Sequence, residues 1–315
     1  MAPAAASSLE CAMEPVTQCP LCGRDNARTL FEGYDDRHGY GATISVRYCS
    51  SCDFTFLAMK PEARRIPELY ETYYAGHTES ISHVGSRRSA LHSLIYWLIG
   101  DPHPVRRARV TDTMLDVGCG AGFTLATASA MGSSVVGIDP NRQVCRELRS
   151  QGYEVFPGTL LGCPHLEGRT FSMIVMDQVI EHCGDPVAEF VAAKQFLAPG
   201  GTLVVATPNL RSILRSVFRS NWIQWHIPYH LCLFSPASLR RAAHLAGLKV
   251  TSCRNITPSS WLLSQLVFRR PARGTVNHTF RLEFPVWVRA LVGPIARLLD
   301  ILARGEVLLA ELAPM

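Results

Sequence analysis

An α/β protein with a small metal-bound module ahead of it is the architecture that this 315-residue sequence predicts. Two observations carry that expectation. An apolar strand at residues 114–117 runs into Gly118, Gly120 and Gly122, then a helix over Phe123–Ala130, then a second strand at 135–138 ending in Asp139. Earlier, Cys19 and Cys22 are followed, 26 residues on, by Cys49 and Cys52, two C-x-x-C knuckles. With 47% apolar and 18% charged residues the chain has ample material for a core, which excludes a disordered or low-complexity protein.

Taken in order, the expected layout is a disordered 1–15, a zinc ribbon over 16–60, a helical linker or lid over 61–110, and a cofactor-binding domain over 111–315 with an insertion at 259–304. The N-terminus lacks a basic and apolar leader pattern, and no run of about 18 apolar residues predicts a spanning helix. The eleven cysteines then read as reduced thiols or metal ligands of a cytoplasmic protein.

In the ribbon, Pro20 and Gly23 favour the first knuckle's turn, while Asp53 stands where the second more often has glycine. Four thiolates from Cys19, Cys22, Cys49 and Cys52 suit Zn²⁺, with iron as the minor alternative, and a closed set of four ligands implies a structural role. The linker carries Tyr70, Tyr73 and Tyr74 and a buried-helix pattern at 91–99.

The glycine turn lets a ligand approach the backbone and the helix N-terminus, and Asp139 is placed to accept ribose hydroxyls. A dinucleotide fingerprint wants Gly or Ala at its sixth position, where Phe123 stands. Asp116 would repel a pyrophosphate but suits an ammonium and a sulfonium. S-adenosylmethionine is therefore the expected cofactor.

Residues 115–122 (LDVGCGAG), 135–140 (VVGIDP), 171–182 (FSMIVMDQVIEH) and 197–209 (LAPGGTLVVATPN) together resemble the signature series of class I S-adenosylmethionine-dependent methyltransferases. The stretch 230–248 is similar to the small-molecule branch that includes ubiquinone-pathway O-methyltransferases. The leading cysteine module resembles zinc-ribbon methyltransferases of bacterial sugar, polysaccharide and secondary-metabolite pathways. The resemblance implies a Rossmann-like seven-stranded sheet in the order 3-2-1-4-5-7-6 with its last strand antiparallel. It implies that Asp116, Gly118, Cys119, Gly120 and Gly122 hold the methionine end, that Asp139 holds the ribose, and that Asp177 and Gln178 lie beside the cofactor. Residues 157–159 (Pro-Gly-Thr) depart from the usual acid or amide at the adenine.

Methyl transfer is an in-line displacement needing alignment and a deprotonated nucleophile. His182 follows the fourth strand, and His226 and His230 lie in the loop before the next helix. In the resembling sugar C-methyltransferases a linker tyrosine and two histidines placed like His182 and His230 line the acceptor cavity. Tyr74 is the tyrosine this pattern selects, with packing the plainer role for Tyr73 and Tyr74. A glutamate often precedes the second histidine there; Tyr229 stands in its place.

Between residues 211 and 304 there are 14 Lys/Arg against Glu283 and Asp300, while the whole chain carries only +5. This asymmetry predicts an anionic partner. Arg211, Arg215 and Arg219, four residues apart, are expected on one helical face, with Arg269, Arg270 and Arg273 adding to a phosphate-bearing substrate site. Ser235 reads as an N-cap, Pro236 as the first turn and Gly247 as the stop of a helix whose buried face is Leu239, Ala242, Ala243 and Ala246. In the insertion, Arg297, Asp300 and Arg304 share one helical face, and the apolar remainder predicts core or dimer packing, or contact of 284–304 with the inner membrane face.

The expected activity is transfer of a methyl group to an O or C nucleophile of a small anionic acceptor by a monomer or homodimer. The alternatives are a nucleic-acid or protein methyltransferase using the Arg-rich third, and a non-catalytic cofactor-fold module. The ribbon's balanced charges argue against nucleic acid.

Overall fold

The structure, a computed structural model, describes residues 13–62, 66, 90–100, 112–277 and 283–315. Tyr70, Tyr73 and Tyr74, and most of the expected linker, lie outside the described residues.

The first five strands are β1 (Met13–Pro15), β2 (Arg28–Tyr34), β3 (Thr43–Cys49), β4 (Phe54–Leu57) and β5 (Met59–Pro61). Helix α1 (Ala90–Ile99) precedes β6 (Thr113–Val117), α2 (Phe123–Ala130), β7 (Ser134–Asp139), α3 (Arg142–Ser150), β8 (Glu154–Pro157) and β9 (Phe171–Asp177). There follow α4 (Pro186–Gln195), β10 (Leu197–Pro208), α5 (Ile213–Phe218), β11 (Cys232–Phe234), α6 (Pro236–Leu245), β12 (Leu248–Ile256), α7 (Ser259–Val267), α8 (Val286–Ile301) and β13 (Val307–Pro314).

Seven strands form one sheet in the order β8-β7-β6-β9-β10-β13-β12. The strands from β8 to β10 pair in parallel, and β13 is antiparallel to both β10 and β12. This is the 3-2-1-4-5-7-6 sheet expected from the sequence. Its central strands are covered on both sides, so they read as apolar runs: Leu115, Ile174, Val175 and Met176 are fully buried. Crossover helices start where capping chemistry permits. Asn141 caps α3 through Gln143 and Val144, Asp185 caps α4 ahead of Pro186, and Ser235 with Ser238 closes a capping box on α6. The expected inner face of α6 is buried, and Gly247 ends that helix with φ +72°.

The cysteine module is not a separate body. Its antiparallel sheet has the order β2-β3-β4-β11, and β11 comes from far down the chain, pairing Cys232 with Phe56 and Phe234 with Phe54. The Phe54 and Phe234 rings meet at a tilt, centroids 5.1 Å apart, inside a core that joins Cys19, Leu21, Cys49 and Cys52 to Leu115, Ile174 and Phe190. Burying one such phenylalanine is worth about 2–3 kcal/mol, so separating the module from the large sheet would expose several such contributions. Residues 13–15, expected to be disordered, pair as β1 with β5, Met13 opposite Pro61.

The basic third also departs from expectation. The α-helix spans only residues 213–218, with Arg211 before it and Arg219, at φ +51°, beginning a separate 3₁₀ turn, so Arg211, Arg215 and Arg219 do not share a helical face. Arg211 pairs with Asp53 at 2.8 Å, and Arg215 lies over the Trp225 ring. Arg270 covers Tyr34 and donates to the Ser220 carbonyl, while Arg273 donates to Thr43. These guanidiniums brace the module against the large domain. In α8 the charged side turns inward: Arg297, 6% exposed, pairs with Asp300 and donates to the Thr257 carbonyl. The apolar residues Trp287, Leu291, Ile295, Leu298 and Ile301 are exposed, which departs from the core alternative of the expected core, dimer or membrane-surface packing. Among the described residues no helix is long and apolar enough to cross a membrane.

Glu306 ties the ends of β10, α5 and β13 together. It is fully buried, and its carboxyl receives Ser212 Oγ and Trp222 Nε1, the latter at 2.9 Å. Burial pushes its pKa up to about 8. The folded state therefore keeps a proton that the unfolded chain releases, so this contribution is present below pH 4.5 and is lost as pH rises towards 8. Glu306→Gln should flatten the fall of stability between pH 5 and 8, by roughly 1.4 kcal/mol for each pH unit at most. Denaturation midpoints of both proteins at pH 5, 6.5 and 8 check it; parallel curves would refute the assignment.

Candidate active site

The carboxyl ends of β6, β7 and β9 surround a cavity of about 1070 Å³. Gly118, Gly120, Asp139, Asp177, Gln178 and His182 line it, with the loop 158–161 opposite. The glycine turn cannot be built otherwise at Gly118: φ is +65°, and a Cβ there would stand 2.7 Å from Val179 Cγ2. Gly118 and Cys119 both donate from their backbone N–H to the Ile138 carbonyl, tying the turn to β7. Cys119 itself, expected at the cofactor, sends its side chain into the core, where its Sγ packs over Gly137 beside Leu125. Gly122, with φ +78°, starts α2 and does not line the cavity.

Asp139 is held by the Gly120 and Asn141 N–H groups, at 2.9 and 2.8 Å. Asp116 lies beneath the turn, 2% exposed, and its Oδ2 has no hydrogen-bond partner. Burial, and then the neighbouring Asp177 and Asp139, push its pKa well up. Asp139 and Asp177 face the cavity and Asp116 lies buried behind its wall, so the negative charge gathered there favours a cationic guest, and the ammonium and sulfonium of S-adenosylmethionine meet that demand. Gln178, at φ +56°, presents a buried side-chain nitrogen without a partner at the same wall. The residues present thus fit the cofactor. Residues 157–159, which carry no acid or amide, bring Gly158 and Thr159 to the far end of the cavity.

His182 stands at the other end, in a short 3₁₀ turn after β9. It brings together what the sequence separates: the His182 and His230 rings are 4.8 Å apart, and His226 lies 4.9 Å from His230. The loop holding His226, Tyr229 and His230 contains a cis Ile227-Pro228 bond and leads directly into β11. His38 joins from the cysteine module, its Nε2 3.3 Å from His226 Nε2. Asp35 shapes that loop by accepting from the N–H groups of Arg37, His38 and Tyr40. Burial holds these imidazoles neutral: His182 falls to about 4, and His226 and His230 lie well below the ordinary histidine value. Arg37 adds positive charge nearby. Glu181, fully buried, is pushed up to about 8.

Arg37, His38 and Glu181 are site residues that motif reading missed. Glu181 was visible only as the neighbour of His182, and nothing in the spacing of Arg37 and His38 relates them to residues 226–230. Among the described residues no arginine of the 211–304 stretch lines the cavity; Lys60, Arg142 and Arg146 do.

The four cysteine thiols of the N-terminal module lie within 4.8 Å of one another, with Cys22 and Cys49 Sγ 3.7 Å apart and none in a disulfide. Asp53 takes the left-handed conformation expected of glycine (φ +52°), its carboxylate held by Tyr48 and Arg211. Four sulfur donors in a closed set fit zinc.

Residues 98–253 match the family model of a methyltransferase domain. The ubiquinone biosynthesis O-methyltransferase of Rhizobium etli CFN 42 is 25% identical over 181 residues, covering 50% of this chain and 73% of that protein. Its counterpart in Dinoroseobacter shibae is 32% identical over 113 residues, 34% of this chain and 44% of that one. The chain thus spans between about half and three quarters of these relatives. A solved S-adenosylmethionine-dependent methyltransferase from Mesorhizobium loti superposes at TM-score 0.46 with 16% identity, over 71% of this chain and 99% of that one. The chain carries an S-adenosylmethionine-dependent methyltransferase domain.

Proposed function

We propose that the protein methylates a hydroxyl oxygen of a small acceptor, which enters the cavity from the histidine end. The observation that carries this reading is the continuity of one cavity from the carboxylates at Asp139 and Asp177 to His182. S-adenosylmethionine, when bound, supplies the electrophilic methyl group. Asp116 and Asp177 face its cationic end, Asp139 its ribose, and Gly158 and Thr159 the adenine. A neutral imidazole of the cluster takes the acceptor's proton, burial keeping these rings unprotonated. The wall between the two ends aligns the nucleophile, which supplies most of the acceleration in a displacement at carbon. The four-cysteine cluster holds a structural zinc.

The names of the ubiquinone biosynthesis relatives favour oxygen over carbon as the nucleophile, and a volume of about 1070 Å³ suits cofactor plus small molecule better than a polymer. Incubation with methyl-labelled S-adenosylmethionine and panels of phenols, sugars, RNA and protein tests this reading. Label should appear in a hydroxylated small molecule as an ether; label confined to RNA or protein would refute it.

A further inference from the structure

Among the described residues, one more group of side chains beyond the cysteine cluster is arranged as ligands. We propose that Glu181, His182 and His230 form a second metal site, for a divalent transition ion, behind the cavity wall at His182, the one of the three that lines the cavity. Each offers one ligand atom, and these atoms lie within 4.8 Å of one another. Two imidazoles and one carboxylate are the donor set of zinc, iron(II), cobalt(II) and nickel(II).

The surroundings are those that orient metal ligands. His230 Nδ1 is 2.7 Å from the Gln224 carbonyl, so Nδ1 carries the proton and Nε2 presents its lone pair. The His182 ring likewise bonds to the Tyr229 backbone. Glu181 Oε2 accepts from Thr207 Oγ1 at 2.9 Å, while its Oε1, in a side chain with no exposure, has no hydrogen-bond partner. An unsatisfied buried carboxylate oxygen beside two oriented imidazoles is costly unless something binds there. Asp177 adds negative charge from the cavity side. Arg37 opposes it, but that guanidinium is 3.5 Å from Asp36 and donates to the Ile223 carbonyl.

Three protein ligands leave coordination positions that a closed four-cysteine site lacks. An acceptor hydroxyl bound to such an ion would give up its proton more readily, with His226 beside it to receive that proton. The site deepens the methyl-transfer reading and rests on it, since the ion would hold the oxygen that reading methylates. Metal counting and turnover are nevertheless separate measurements, so either reading can fail alone.

The test titrates Co²⁺ alone into the full chain carrying one zinc at its cysteines. A second equivalent should bind with visible bands that lack thiolate charge transfer. Glu181→Gln, which keeps the shape and the Thr207 contact, should weaken that second equivalent at least about tenfold while S-adenosylmethionine binding persists. His230→Ala should abolish it; if that variant does not fold, Glu181→Gln decides. A wild-type chain that takes up no second equivalent, or a Glu181→Gln chain that binds it unchanged, overturns the proposal.

Discussion

Asp116→Asn should abolish methyl transfer and weaken S-adenosylmethionine binding by roughly 30- to 1000-fold, about 2–4 kcal/mol. The substitution keeps the shape and removes the charge. Asp116 is buried under the glycine turn with an unpartnered oxygen, and Asp139 and Asp177 crowd it. In the free protein that crowding is unfavourable, so the folded state should tolerate the neutral side chain or gain from it. Stability unchanged or raised, with cofactor affinity lost, is the signature of a carboxylate kept for its ligand. A stability loss at unchanged affinity would assign Asp116 to the core instead. Titration calorimetry beside thermal denaturation separates the two.

The second large effect is expected at the cysteine cluster. Cys49→Ser, or a chelator strong enough to strip the site, should lower the melting temperature by more than about 10 °C, since structural zinc is worth roughly 10–16 kcal/mol in small zinc modules. The consequence should reach the active site along a short path. Cys49 ends β3, β3 pairs with β4, β4 pairs with β11, and β11 follows His226 and His230 directly. Arg37 and His38 come from the same module. The groups assigned to the cofactor lie on and just after β6, β7 and β9, outside that strand path. Metal loss should therefore abolish transfer while cofactor affinity in the still-folded fraction stays within a fewfold. Equal loss of both would show that the module supports the whole sheet and has no special tie to the acceptor end.

The sheet and the cofactor half were legible because their signals are local. A glycine turn between two strands and an acid at the end of the second fix a βαβ unit within about 30 residues. The helix at Phe123–Ala130 was placed to the residue, and the capped α6 was placed by Ser235, Pro236 and Gly247. What the sequence hid is long-range. The pairing of β11 with β4 joins residues about 180 apart, and a three-residue strand has no periodicity to read. The arginines misled for a related reason. Spacing put Arg211, Arg215 and Arg219 on one helix, but that helix holds only Arg215, and Arg211 is claimed by Asp53, remote in sequence. In α8 the charged pair Arg297 and Asp300 is inside because each satisfies the other and Thr257 supplies further bonds. Helical periodicity alone assigns charges to solvent, and a paired buried guanidinium inverts that rule.

The most direct measurement is calorimetric titration of S-adenosylmethionine into the wild-type and Asp116→Asn chains, followed by release of labelled methyl to a hydroxylated acceptor. Saturable binding at a single site per chain, lost in the variant and accompanied by transfer in the wild type, is the predicted result. Absence of binding to a folded wild-type chain would contradict the assignment of the cavity, and of everything derived from it.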